Sequence, residues 1–177
     1  MIAVRRIAAT ATLAALTALA APMAAPSALA ATPGPDDASF LKAIHQGNLE
    51  EIESGTNAGR DAKAACTKKV GAILVRDHTK LDIGVKELAA KLGVTLPTAP
   101  SPAQRKAIAA VQAKAGTSGY DAAWLKNEDM GHVETLKLID QEVSTGRNSQ
   151  VRAAAQAARP VVARHLELIR ACERKIS

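Results

Sequence analysis

Four stretches of this chain repeat an apolar residue every third or fourth position, and none alternates apolar and polar residues at every second one. A period near 3.6 lines up one stripe of an α-helix, whereas a half-buried strand needs a period of two. The chain is therefore expected to be all-α, with each stripe turned towards a shared interior.

Residues 1–30 stand outside that pattern. Arg5 and Arg6 give a basic start, Ile7 to Ala20 is an apolar run, and Pro22 and Pro26 break the residues beyond it. Ala28-Leu29-Ala30 then has the small-x-small form of a signal peptidase site. The apolar run is shorter than the roughly 20 residues that a membrane-spanning helix needs. Export with cleavage after Ala30 is the expectation, leaving no transmembrane segment and placing the mature chain outside the cytoplasm, secreted or in the cell envelope. The paired arginines are not followed by the rest of a twin-arginine signal, so they do not choose the export route.

Losing the leader removes two arginines and no acid, so the net charge of +6 falls to +4. That excess suits at most a weak contact with an anionic envelope surface. A nucleic-acid site would want clustered basic residues and stacking aromatics. Here Phe40, Tyr120 and Trp124 are the only aromatics, and lysines and arginines are spread along every helix. Nucleic acid is not an expected partner.

The mature chain is one domain's worth of residues. Residues 31–36 read as a loose tail and 37–177 as the folded domain. Asp36 and Asp37 can cap a first helix reaching about Arg60. A second should run from about Cys66 to Leu92 and stop at Gly93. The connection from about 93 to 117 is too rich in proline for continuous helix, but Ser101 and Pro102 can open a short one reaching about Ala115. Ser118 with Asp121 resembles a capping box for the third long helix, which should end before Gly146. Asn148 or Ser149 starts the fourth, in which Pro160 is expected to cause a kink. Tyr120 and Trp124, at helical spacing, are expected to anchor the core.

Cys66 and Cys172 constrain how these helices are joined. An exported chain with two cysteines favours a disulfide, and the two Cα atoms must then lie within about 7 Å. In a plain up-down-up-down bundle the second and fourth helices run parallel and hold the cysteines at opposite ends. A connection that crosses the length of the bundle brings both to one end. The expected fold is thus a ferritin-like four-helix bundle, up-down-down-up, with the long crossover carrying a short extra helix.

Three of these helices carry one histidine each near the middle of the apolar stripe. His78 continues the row of Val70, Leu74, Leu81 and Val85; His132 falls with Trp124, Glu128, Leu136 and Ile139; His165 lies among Val161, Val162, Leu168 and Ile169. Glu51 is the natural contribution of the first helix, being three turns beyond Phe40 on its face. Glu128 lies one turn before His132, and Asp77 directly precedes His78. Imidazoles and carboxylates together suit iron, zinc, copper or manganese, and bundle cores host such sites. Glu51, Asp77, His78, Glu128, His132 and His165 are therefore candidate metal ligands. The paired Glu-x-x-His motifs of a di-iron carboxylate centre are missing, since His132 has Asp129 at that offset and His165 has Val162. His45, beside the stripe of the first helix, reads as a surface residue. Neither a Ser-His-Asp nor a Cys-His arrangement is legible, and nothing points to an enzyme.

The segments FLKAIHQGNLEEIE, VRDHTKLDIGVKELAAKLGVTLP, YDAAWLKNEDMGHVETLKLIDQE and ARPVVARHLELI, in this order and spacing, resemble the secreted bacterial family called domain of unknown function 4142. The resemblance covers about Asp37 to Ala171. It implies an exported or periplasmic ferritin-like protein, with Glu51, Asp77, His78, His132 and His165 at positions of the family pattern. The cysteine pair and Glu128 look particular to this chain. Two functions are expected on these grounds. One is metal binding at the mid-bundle site, in envelope metal handling or stress response. The other is a non-catalytic structural or interaction protein of the envelope, whose polar core is hydrogen-bonded and metal-free.

Overall fold

The computed structural model describes residues 32–177, apart from the side chain of Pro35, so the expected leader lies outside the described residues. The described residues form five helices and no strand: α1 (Pro35–Asp61), α2 (Ala65–Leu92), α3 (Pro102–Gln112), α4 (Tyr120–Thr145) and α5 (Ser149–Ile176). No described helix is long and apolar enough to cross a membrane.

Local chemistry accounts for most of the helix ends. Gly93 stops α2 in the left-handed region, at φ 68°, which lets the Val94 N–H return to the Ala89 carbonyl at 2.9 Å. Ser101 opens α3 with a capping box: its hydroxyl accepts from the Gln104 N–H, and the Gln104 side chain accepts from the Ser101 N–H. Asn148 caps α5 by accepting from the Gln150 and Val151 N–H groups. Pro160 lies on the exposed side of α5, and the helix runs through it to Ile176. On that side water can satisfy the carbonyl that proline leaves without a donor.

The start of α4 differs from the expected Ser118 capping box. Gly119 is the N-cap, so the cap residue offers no side chain to the first turn, and its own N–H donates to the Thr117 hydroxyl at 3.2 Å. Asp121 faces the α1–α2 connection instead, where its carboxylate accepts from the Lys63 and Ala64 N–H groups at 3.0 and 3.1 Å. Asp37 does the equivalent at the other end. It accepts from the Gly34 N–H within its own first turn, and from the Arg147 and Asn148 N–H groups of the α4–α5 connection.

α1 packs along α2, and α4 along α5; α2 also lies against α5 and α1 against α4, so the long helices close around one interior. The connections 62–64 and 146–148 are too short for anything but antiparallel neighbours. A disulfide joins Cys66, at the start of α2, to Cys172, near the end of α5, with the Cα atoms 5.7 Å apart. α2 and α5 are therefore antiparallel as well, and the segment between α2 and α4 travels from one end of the molecule to the other. α3, within that segment, rests on α1 and α4.

The core has two apolar ends. One gathers Ala58, Leu74, Tyr120, Trp124, Leu125, Ile169 and the disulfide. The other gathers Phe40, Leu41, Ile139, Val151, Ala155 and Val162. On every long helix polar residues are buried between these two groups: Asn48, Glu51 and Ser54 on α1, His78 on α2, Glu128 and His132 on α4, and His165 on α5.

The depth of that layer is set partly by two glycines. A Cβ placed on Gly55 would sit 2.6 Å from the Gly71 carbonyl oxygen, and one on Gly71 would sit 2.8 Å from the Gly55 oxygen. The α1 and α2 backbones thus touch here, as only glycine permits. Asn48 is two turns before Gly55 and His78 two turns after Gly71, so on antiparallel helices the crossing fixes the register that brings them together.

This packing can be tested by substitution. Gly71→Ala should destabilise the protein by about 1–3 kcal/mol in chemical denaturation, because the added methyl overpacks the crossing although alanine favours helix. Gly59→Ala, where a Cβ meets nothing within 4 Å, should instead stabilise by up to about 1 kcal/mol. A separate test concerns Glu142, buried beside Asp37, whose carboxyl is pushed up to about 7 by burial first and by Asp37 second. A group with a raised folded-state pKa contributes stability fully below its unfolded value, here 4.5, and loses it as pH rises through about 7. Thermal melts of Glu142→Gln should match the parent near pH 4 and exceed it above pH 8; an unchanged pH profile would refute the assignment.

Candidate metal centre

The three mid-stripe histidines meet. Their ring centroids are 5.9 Å apart for His78 and His132, 5.1 Å for His78 and His165, and 5.6 Å for His132 and His165. All three are at most 4% exposed. Counted from the disulfide, His78 is twelve residues into α2 and His165 only seven residues back along α5, a difference of roughly 7.5 Å. Side chains lean towards the N-terminus of their own helix. On antiparallel helices that tilts His78 towards the disulfide end and His165 away from it, which takes up part of the difference.

Each ring commits one nitrogen to an acceptor. His78 Nδ1 donates to Asn48 Oδ1 at 2.9 Å, His132 Nδ1 to the Glu128 carbonyl one turn back at 2.9 Å, and His165 Nε2 to Asp77 Oδ2 at 3.0 Å. A neutral imidazole that donates through one nitrogen offers a lone pair on the other. Those other nitrogens, His78 Nε2, His132 Nε2 and His165 Nδ1, are buried and have no hydrogen-bond partner in the protein. One nitrogen from each ring lies within 4.8 Å of one from each of the others.

The electrostatics keep the rings neutral. Burial holds all three histidines below the usual imidazole range. At His78 the neighbouring His132 and His165 add to the effect; at His165 the Asp77 hydrogen bond opposes it. Asp77 itself is held down to about 2, first by its hydrogen bond to Arg76.

A carboxyl pair adjoins the rings. Glu51 and Glu128, 6% and 1% exposed, form with His132 a second group whose donor atoms lie within 4.8 Å of one another. Glu51 Oε1 is 3.5 Å from His132 Nδ1. Ser54 donates to Glu128 Oε1 at 2.6 Å and is itself held by Trp124 Nε1 at 2.9 Å. The second oxygens, Glu51 Oε2 and Glu128 Oε2, are buried and receive no N–H or hydroxyl from the surrounding protein, while the two carboxyls can share a proton between them. Burial pushes Glu51 up to about 8, with the Glu50 charge adding to it, and raises Glu128 well above its ordinary value, with Glu51 adding to that.

Of the six candidate ligands, the structure thus gathers five around one interior space. Asp77 is the exception: it belongs to neither group, is partly exposed, and grips His165 from the outside. His45 departs from its expected surface position. It is 4% exposed, with Nδ1 2.6 Å from Asp82 Oδ1 and Nε2 2.9 Å from the Pro97 carbonyl, and it fastens the crossover to α1 and α2. Spacing can find it, since His45 is one turn from Leu41 and one from Asn48, and Asp82 is one turn past His78. Ser54 and buried Glu50 are further polar members of this interior that the sequence reading passes over; Ser54 lies one turn beyond Glu50 and Glu51.

Three neutral nitrogen donors backed by hydrogen-bond acceptors, beside two carboxyls, form a donor set that fits a transition-metal ion. No curated protein and no solved structure matches this chain. A family model does match, described as a domain of unknown function (DUF4142), over residues 18–172. With helices, disulfide and residue pattern all in hand, and the match running over most of its length, the chain belongs to the DUF4142 family.

Proposed function

We propose that this protein is an exported, ferritin-like bundle of up-down-down-up topology that binds a transition metal through His78, His132 and His165, serving metal handling or stress defence in the cell envelope. The observation that carries this reading is the set of three buried ring nitrogens with no hydrogen-bond partner, each on a ring whose other nitrogen is tied down. A purely structural polar core should satisfy its buried atoms, because each one left unpaired costs about 1–3 kcal/mol. Tautomer and ring orientation fixed by Asn48, the Glu128 carbonyl and Asp77 are what a metal-binding imidazole requires of its surroundings. Export, with residues 1–30 as the leader and 37–177 as the working domain, is supported by the Cys66–Cys172 disulfide, which suits an oxidising compartment.

Elemental analysis of the purified mature protein tests the proposal. Transition metal near one equivalent or more, greatly reduced when His78, His132 and His165 are all changed to alanine and the circular dichroism stays helical, is the expected result. Protein that takes up none at stoichiometric supply would leave the structural reading in its place. The supporting acceptors give a graded check: Asp77→Ala and Asn48→Ala should each weaken metal affinity roughly 10–100-fold in a competition titration. An unchanged affinity in both would show that these groups hold the rings for packing alone.

A further inference from the structure

The carboxyl pair is not explained by the three-histidine site. Its oxygens do not join the His78–His132–His165 group; they form a separate one with His132. Two carboxyls buried side by side are a costly way to fill a core, since a single glutamine could accept the Ser54 hydroxyl without a second acid nearby. Yet the pair is firmly held. Trp124 fixes Ser54, Ser54 fixes Glu128 Oε1, and Glu51 Oε1 approaches His132 Nδ1, so that Glu51 Oε2 and Glu128 Oε2 are both buried and receive no N–H or hydroxyl from the surrounding protein, each carboxyl having only the other beside it. The His132 ring stands between two different environments. Its Nδ1 faces the carboxyl side at 3.5 Å from Glu51, while its unpaired Nε2 is left for the side of His78 and His165.

We propose that Glu51 and Glu128, with His132 as the shared wall, form a second cation position beside the three-histidine one. The donor chemistry of the two differs. Three imidazoles suit zinc or copper, whereas a carboxylate pair suits a divalent ion that prefers oxygen, such as manganese. The two positions together would hold two ions in one buried layer, with the carboxylates supplying the negative charge that neutral imidazoles lack. This inference rests on the reading of the core as a metal centre, but it stands or falls on different residues.

The test measures bound metal per chain in the mature protein by equilibrium dialysis against zinc and, in a separate portion, against manganese. The parent should retain both metals. Glu51→Gln/Glu128→Gln, which keeps shape and removes the charge, should retain one, as zinc. His78→Ala/His165→Ala should also retain one, as manganese, and lose it when the two glutamine changes are added. A Glu51→Gln/Glu128→Gln protein that holds as much metal as the parent overturns the second position and leaves the three-histidine reading intact. A His78→Ala/His165→Ala protein that holds as much as the parent overturns the three-histidine reading instead. No retention by the parent refutes both. Should the alanine pair fail to fold, as judged by circular dichroism, the glutamine pair alone decides the inference.

Discussion

Desolvation of the polar layer is the constraint that the rest of the structure answers. Imidazoles and carboxyls taken out of water at mid-depth in a helical core must find partners or lose stability. The fold meets this by assigning each ring one acceptor from a different source. α1 gives Asn48 to His78, the turn of α4 gives the Glu128 carbonyl to His132, and the outer face of α2 gives Asp77 to His165. Above and below, apolar clusters close the layer off from solvent, with Trp124 serving both as packing and, through its indole N–H, as the anchor of Ser54. The result is an interior in which each ring is held in one orientation.

The same layer depends on backbone contacts two turns away. If Gly55 and Gly71 did not let α1 and α2 touch, the helices would stand further apart, and Asn48 would not reach His78 at hydrogen-bond distance. Carboxylates tie the connections at each end: Asp121 holds the α1–α2 turn and Asp37 the α4–α5 turn. Both act on backbone N–H groups of a segment distant in sequence and so lock the pairing of helices; Asp37 also caps the start of α1 through Gly34. His45 does similar work at the crossover through Asp82 and Pro97.

How much of this is legible in the residue order depends on what kind of contact is asked for. Which face a residue takes follows from spacing along its own helix, and so His78, His132, His165, Glu51 and Glu128 can be placed inward at once. Helix ends with a dedicated residue, Gly93, Ser101 and Asn148, are equally plain. Contacts between helices depend on rotation and depth of two elements together, which periodicity does not encode. Asp77 is expected beside His78 in the interior because it is its neighbour, but successive residues on a helix point about 100° apart, and the neighbour of an inward side chain instead reaches the adjacent helix. Asp121 looks like a local cap for the same reason: its nearest candidates in sequence are in view, and Lys63 and Ala64 are not. His45 reads as a surface residue although its spacing from Leu41 and Asn48 is that of a buried row.

The bond between Cys66 and Cys172 spans 106 residues and encloses the proline-rich crossover together with α3, α4 and most of α2 and α5. A single peptide-bond cut anywhere inside that span would therefore leave the two fragments as one covalent molecule. Hydrolysis of an exposed linker by a foreign peptidase need not separate the histidine of α2 from the histidine of α5. Integrity of the buried polar layer would then rest on sulfur as much as on an unbroken main chain.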